Sequence, residues 1–387
     1  MIVGAPCTRF SLPPGREAAA PPERRGVPRD GVRLLVARPG AILHRRFSDL
    51  PALLRPGDLL VVNTSATLPA ALRGRLPGGR LVPVHVATPL DDGRWVVEVR
   101  LADGSGPDLA RAHGDVLELP GDVRLTLEEA HPDPAVTGSR LWAAAVRPAV
   151  EPAGYLGRHG APIGYRYLDG AFPLSDRQTV YAQIPGSAEM PSAGRPFTER
   201  LLVRLMARGV AVAPVVLHAG VSSPELHEPP QPERFRVPAP TARLVGATRA
   251  GGGRVVAVGT TAVRALESAA GPDGSVRPAE GWTDLVLGPH RAARAVDGLV
   301  TGLHPPEASH LLLLEAVAGP ALVQRAYEAA VAGPYLWHEF GDSMLLLPGA
   351  APSGDAPPGP GHRGSRSSPA SMSISRPSRH SPSGPRS

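Results

Sequence analysis

The 387-residue chain contains no lysine; all 41 of its basic residues are arginine. A P-loop needs a lysine after its last glycine to reach the β- and γ-phosphates, so an ATPase of that type is not expected. Cys7 is the only cysteine, which rules out an internal disulfide and a cysteine-based zinc cluster. Long apolar stretches are missing too. Runs such as Leu311–Leu314 fall far short of the roughly 20 residues that span a bilayer. The N-terminal MIVGAPCTRFSLPP has no charged segment leading into an apolar one. These absences predict a soluble protein of a reducing, cytoplasmic compartment with no membrane partner.

What is present is an ordinary globular composition, 42% hydrophobic, in a chain long enough for two domains with sizeable cores. The basic balance is uneven. Residues 351–387 carry +4 of the formal +6, leaving a nearly neutral body. That Pro/Ser/Gly/Arg-rich tail has almost no large apolar side chains, and the segment 349–387 is expected to be disordered because it cannot offset its chain entropy. Between about 68 and 150 only short β runs occur (RLVPVHVAT, RWVVEVRLA, DVLELPGDVRLTLEEA, RLWAAAVRP), separated by Gly/Asp/Pro turns. A small all-β barrel is predicted there, inserted into an α/β domain made of residues 1–67 and 151–348. In that α/β part the pattern predicts a short helix over 47–54, helices at 198–208, 240–250 and 262–270 and a long helix near 307–331. Strands are predicted at 211–218 and 254–259. The main domain is mixed α/β, barrel-like or layered.

The stretch GGGRVVAVGTTAVRALESAA (251–270) reads as a strand feeding a helix N-terminus, where unpaired N–H groups favour an anion. Its glycine run precedes the strand, whereas a dinucleotide fingerprint places its glycines after it. A packed βα unit capped by Thr260 or Thr261 fits the same pattern. Further polar residues fall in four other strings. DRQTVYAQIPGSAEMPSAGRPFTERLL offers Arg177, Gln178 and Tyr181 ahead of a loop with Ser192, Gly194 and Arg195. VVLHAGVSS puts His218 at a strand end, where α/β proteins place ligands. VDGLVTGLHPPEAS brings Asp297, Thr301 and His304, and YLWHEFGDSMLLLP brings His338 and Asp342. The histidines lack metal-ligand spacing, so no zinc site is expected.

Taken in order, RD at 29–30, LLRPGDLLVVNTSATLPAALRG, QTVYA, SAGRPFT, LHAG, GGGRVVAVGTTAVRALES, VDGLVTGLHPPEAS and FGDSML make the chain resemble the S-adenosylmethionine:tRNA ribosyltransferase-isomerases of queuosine biosynthesis over residues 10–348. Several positions depart from that pattern. Arg195–Pro196 stands where the family has Leu-His, and Val221–Ser222–Ser223–Pro224 replaces a Gly-Thr-Phe turn. Gly302–Leu303–His304–Pro305–Pro306 replaces Asn-Phe-His-Leu-Pro. YLWHEF replaces a Tyr-Arg-Phe run, and NTSATLP keeps the frame of Asn-Asp-Thr-Arg without its Asp and Arg.

The resemblance implies a transferase-isomerase with S-adenosylmethionine as co-substrate, no metal or redox cofactor, and precursor tRNA as partner. The ribosyl group would move to 7-aminomethyl-7-deazaguanine at the wobble position and isomerise to the epoxycyclopentane of epoxyqueuosine. The sulfonium acidifies the adjacent ribose carbon, so a positioned base can start the rearrangement. His218 and His304 are the candidates for proton transfer. Arg177, Gln178, Tyr181, Ser192, Gly194, Arg195, Gly259, Thr260, Thr261, Arg264 and Asp342 are the candidates for substrate binding, with Arg264 facing either the pocket or solvent. Their alternative is a set of hydrogen-bonded turns and caps. Two other functions stay open: a paralogue with another acceptor, motivated by the Arg195–Pro196 and Ser222–Ser223 replacements, and a non-catalytic RNA-binding module on the same fold. A monomer is the favoured state.

Overall fold

A computed structural model describes residues 4–136, 138–222 and 230–349. In chain order a hairpin of β1 (Arg33–Arg38) and β2 (Ala41–Arg46) leads through α1 (Leu50–Leu53) to β3 (Leu59–Asn63) and β4 (Ser65–Thr67). Six strands follow: β5 (Ala71–Arg75), β6 (Leu81–Pro89), β7 (Trp95–Val99), β8 (Val116–Leu119), β9 (Val123–Ala130) and β10 (Leu141–Arg147). After α2 (Pro152–His159), β11 (Ile184–Ser187) and α3 (Glu199–Ala207) come β12 (Ala211–Leu217), β13 (Glu233–Val237), α4 (Ala239–Ala250) and β14 (Val255–Val258). The chain continues through α5 (Thr260–Ser268), β15 (Ala279–Thr283), β16 (Gly298–Gly302), α6 (His310–Ala318), α7 (Pro320–Ala332) and β17 (Ser343–Leu346).

Nine strands form one sheet in the order β15-β13-β12-β3-β14-β16-β17-β1-β2, and β5 to β10 close into a separate six-stranded barrel. The mixed α/β class with a small β-barrel, expected from the sequence, is therefore observed, and the main body is layered. Strand alternation shows why. Leu59 and Val61 of β3 pack with Val255 and Ala257 of β14 among α4, α5, α6 and α7, while Leu60, Val62, Val256 and Val258 face the opposite core with α1 and α3. Strands covered on both faces need apolar residues at every position, which is why these runs are continuous. In the barrel, β8 and β9 are one-sided, alternating buried and more exposed residues, and Trp95, Val97, Leu117 and Leu125 fill the interior.

Three local expectations are corrected. The helix expected near 307–331 is two, α6 and α7, because Pro320 cannot donate its N–H to continue α6 and instead starts a new helix after Gly319. The helix over 47–54 is a 3-10 turn, Phe47–Asp49, followed by α1. The threonines after β14 are the first residues of α5 and not its cap; Gly259 occupies the cap position at φ 89°, a backbone region open to glycine. Apart from Gly349, the 349–387 tail lies outside the described residues. No helix among the described residues is long and apolar enough to cross a membrane.

For the site, the decisive feature is polarity. β12, β3, β14 and β16 run parallel as neighbours, so their carboxyl ends, at Leu217, Asn63, Val258 and Gly302, share one edge of the sheet. The two-stranded β4–β11 pair continues from β3 at that edge toward the barrel.

Candidate active site

A cavity of about 480 Å³ opens at this edge. Gly259, Thr260 and Thr261 line it with the start of α5, whose N–H groups and dipole favour a negative group. Gly259 donates its N–H to Val300 O at 2.8 Å, tying the helix start to β16. The Thr261 hydroxyl is buried and has no hydrogen-bond partner within the protein. An orphaned buried donor in a cavity wall is suited to a ligand oxygen.

His304 lines the cavity just after β16. Its Nε2 pairs with Thr301 Oγ1 at 2.9 Å, its N–H donates to the Tyr327 hydroxyl at 3.0 Å, and its carbonyl accepts from Trp337 Nε1 at 3.0 Å. Three partners fix the residue from both ends. Burial, with His310 and His338 nearby, holds its pKa well below the usual histidine value, so the imidazole is neutral near pH 7. His310 is pushed down to about 4, by burial first and by the charge of Arg264 second.

Arg264, on α5, also lines the cavity. It is ion-paired with Glu233 and donates to the carbonyls of Leu285 at 3.1 Å and Thr283 at 3.2 Å. Of its two sequence readings, pocket or solvent, the pocket holds. Burial raises Glu233 despite that arginine. Another part of the wall is aromatic: Tyr165 stacks on Tyr167 at 5.6 Å, and Tyr167 on His338 at 4.5 Å. Glu189 and Glu339 lie among these rings.

Of the sequence-predicted residues, Ser192, Gly259, Thr260, Thr261, Arg264 and His304 come together in the cavity wall. Arg177 stands one contact behind it, its guanidinium 2.7 Å from Glu339 and over the Phe340 ring. The others are placed elsewhere. His218 Nδ1 pairs with Ser65 Oγ at 2.7 Å, beneath the Ala219–Gly220 turn that does line the cavity. Gln178 clamps Thr67, accepting its N–H at 3.0 Å and donating to its carbonyl at 2.8 Å. Tyr181 is half-buried, with its hydroxyl enclosed against Gly194, where any Cβ would overlap it. Arg195 reaches Glu23 at 2.9 Å and the Asp176 carbonyl at 2.8 Å. Asp342 accepts from Arg33 N at 2.6 Å and Leu336 N at 2.9 Å, joining β1 to the loop before β17.

Sequence reasoning missed Glu189, Glu233, Glu339, His310, Tyr165 and Tyr167, and also Arg140, which reaches the cavity from the barrel while its guanidinium contacts Glu98 at 3.1 Å. The pair of tyrosines in GYRYLDG was the one available signal, in a chain only 4% aromatic. Among the described residues no group of three or more His, Cys, Asp or Glu is arranged to hold a metal ion.

A family model described as "Queuosine biosynthesis protein" matches residues 8–346. The chain belongs to this family. It is 40% identical to the S-adenosylmethionine:tRNA ribosyltransferase-isomerase of Symbiobacterium thermophilum over 87% of this chain and 98% of that protein. The enzymes of the same name from Anaeromyxobacter dehalogenans and Synechococcus elongatus are 39% and 37% identical, with 97% and 95% of their lengths covered. A crystal structure of S-adenosylmethionine tRNA ribosyltransferase from Thermotoga maritima is 30% identical, with a TM-score of 0.48, over 88% of this chain and 99% of that one. This member of the queuosine biosynthesis family is thus a transferase-isomerase, as its curated relatives are named. Its cavity lies on the sheet edge formed by the end of β14 and of β16, two of the strings that carried the resemblance.

Proposed function

We propose that the chain is an S-adenosylmethionine:tRNA ribosyltransferase-isomerase acting on 7-aminomethyl-7-deazaguanine in tRNA, and that the cavity is its donor and reaction site. The observation that carries this reading is the Gly259–Thr261 wall. It offers a helix N-terminus and an unpartnered buried hydroxyl to a ligand. The carboxylate of the donor's methionine part suits that wall, since both features favour a negative oxygen.

His304 is the group we assign to proton transfer. As a neutral imidazole it can accept a proton, and its bond to Thr301 and its stack on His310 fix the ring. The sulfonium of the donor acidifies the neighbouring ribose carbon, and the carboxyl group of Glu189 lines the same cavity, where it can meet a cation. His218 acts through position: with Ser65 and Ser187 it braces the Ala219–Gly220 turn, Ser187 Oγ accepting from Ala219 N at 2.9 Å. Gln178, Tyr181, Gly194, Arg195 and Asp342 shape the loops behind the wall.

Incubation of the protein with S-adenosylmethionine and tRNA carrying the aminomethyl precursor, followed by nucleoside mass spectrometry, tests the reading. Epoxyqueuosine formation with release of adenine and methionine is expected. Donor consumption without that nucleoside would favour another acceptor.

A further inference from the structure

We infer that Glu339 is a second catalytic residue of the reaction proposed above, on which this inference rests: its carboxylate receives the protonated aminomethyl group of the acceptor base and takes a proton from it. An alkylammonium holds its proton until a pH of roughly 10, so the nitrogen cannot form a bond near neutral pH until a base removes one. The transfer balances simply. One N–H bond breaks, its proton joins the carboxylate oxygen, and the electron pair stays on nitrogen as the lone pair that forms the new bond. A cation beside an anion becomes two neutral groups.

The surroundings of Glu339 fit this role in three ways. It lines the cavity, so a substrate can reach it. Beside it, His338 lies over Tyr167 with rings 4.5 Å apart and 17° from parallel, a flat face suited to a fused aromatic base and to an adjacent ammonium. His338 holds φ 72°, a backbone region that non-glycine residues seldom occupy and that persists only where the surroundings impose it.

The basicity also fits. The groups that face Glu339 are Arg177 at 2.7 Å, Arg195 further off, Glu189, Tyr165, Tyr167 and the neighbouring His338. Burial and Glu189 raise its carboxyl to about 7 against the opposing pull of the two arginines. A base poised near the working pH is the more effective one. The donor's own cations match the residue less well. A sulfonium has no proton on sulfur to give, and the donor's ammonium is one carbon away from the carboxylate assigned to the start of α5.

The experiment compares wild type, Glu339→Gln and Glu339→Asp. Wild type must first yield product; if it does not, the proposed function fails and the role of Glu339 is not what has been disproved. Given product, Glu339→Gln is expected to lower kcat/KM for precursor tRNA by about 100-fold. Its calorimetric affinity for S-adenosylmethionine should stay within about threefold. Wild-type activity should fall as pH drops through about 7, the range in which Glu339 takes up its own proton, and the residual activity of Glu339→Gln should lack that limb. Wild type should prefer tRNA with the aminomethyl base over tRNA with an uncharged analogue, and Glu339→Gln should bind the two alike. If Glu339→Gln does not fold, because Arg177 has lost its carboxylate, Glu339→Asp carries the test: reduced kcat with the preference for the charged base retained. The inference is overturned if Glu339→Gln keeps the acid limb and the preference, if it loses donor affinity in step with activity, or if Glu339→Asp turns over like wild type.

Discussion

His304 lies flat against His310, with ring centroids 4.5 Å apart and planes 7° from parallel. Charge on both of these half-buried imidazoles is unfavourable in this arrangement, and His310 lowers the readiness of His304 to take a proton. His310 falls to about 4 from 6.5, so between those values the unfolded chain binds the extra proton and the folded one does not. Stability is full above pH 6.5 and declines as pH falls toward 4, by an amount on the order of 3 kcal/mol from this residue. Replacing His310 by Phe keeps a ring in the stack and removes the titration. The fall in melting temperature between pH 7.5 and 5 should become shallower, without vanishing, since His304 keeps its own share; an unchanged slope would contradict the arrangement.

Replacing His304 by Phe separates chemistry from binding. The stack on His310 survives, while the imidazole and its bond to Thr301 are lost. Product formation in single turnover is expected to fall by about 1,000-fold, with donor affinity little altered. Full activity in this variant would remove His304 from the reaction.

Gly194 and Tyr181 test the packing behind the wall. A Cβ at 194 would overlap the Tyr181 hydroxyl, which is buried and unpartnered. Gly194→Ala should cost about 2 kcal/mol in denaturant unfolding, as overpacking does. Adding Tyr181→Phe removes the colliding oxygen and should recover part of that loss. Simple additivity of the two changes would show that they do not meet.

The architecture was largely legible, because the physics that forms it is local. β6 to β10 announce themselves as strand-length runs between Gly/Asp/Pro turns, and the fully buried β3 and β14 as continuous apolar segments. The split between α6 and α7 was also written in the chain, at Pro320, yet the apolar pattern runs across it. In the site, residues at strand ends could be read, hence His304 and the Gly259–Thr261 start of α5. Glu189, Glu233 and Glu339 could not, since a lone glutamate in a loop or at the start of a strand looks the same whether solvent or a cavity lies beside it. Asp342 and Arg195 show the converse: side chains of catalytic type whose bonds go to backbone groups and to Glu23.

The central claim is that the wall formed by Gly259, Thr260 and Thr261 holds the donor, and Thr261 tests it most directly. Its hydroxyl makes no bond within the protein, so Thr261→Ala removes nothing the fold uses and should leave the melting temperature close to that of wild type. Calorimetric titration with S-adenosylmethionine should show saturable binding to the intact protein and an affinity about tenfold weaker in the variant, the loss of one good hydrogen bond. No binding by the intact protein, or equal affinity in the two, would contradict the account.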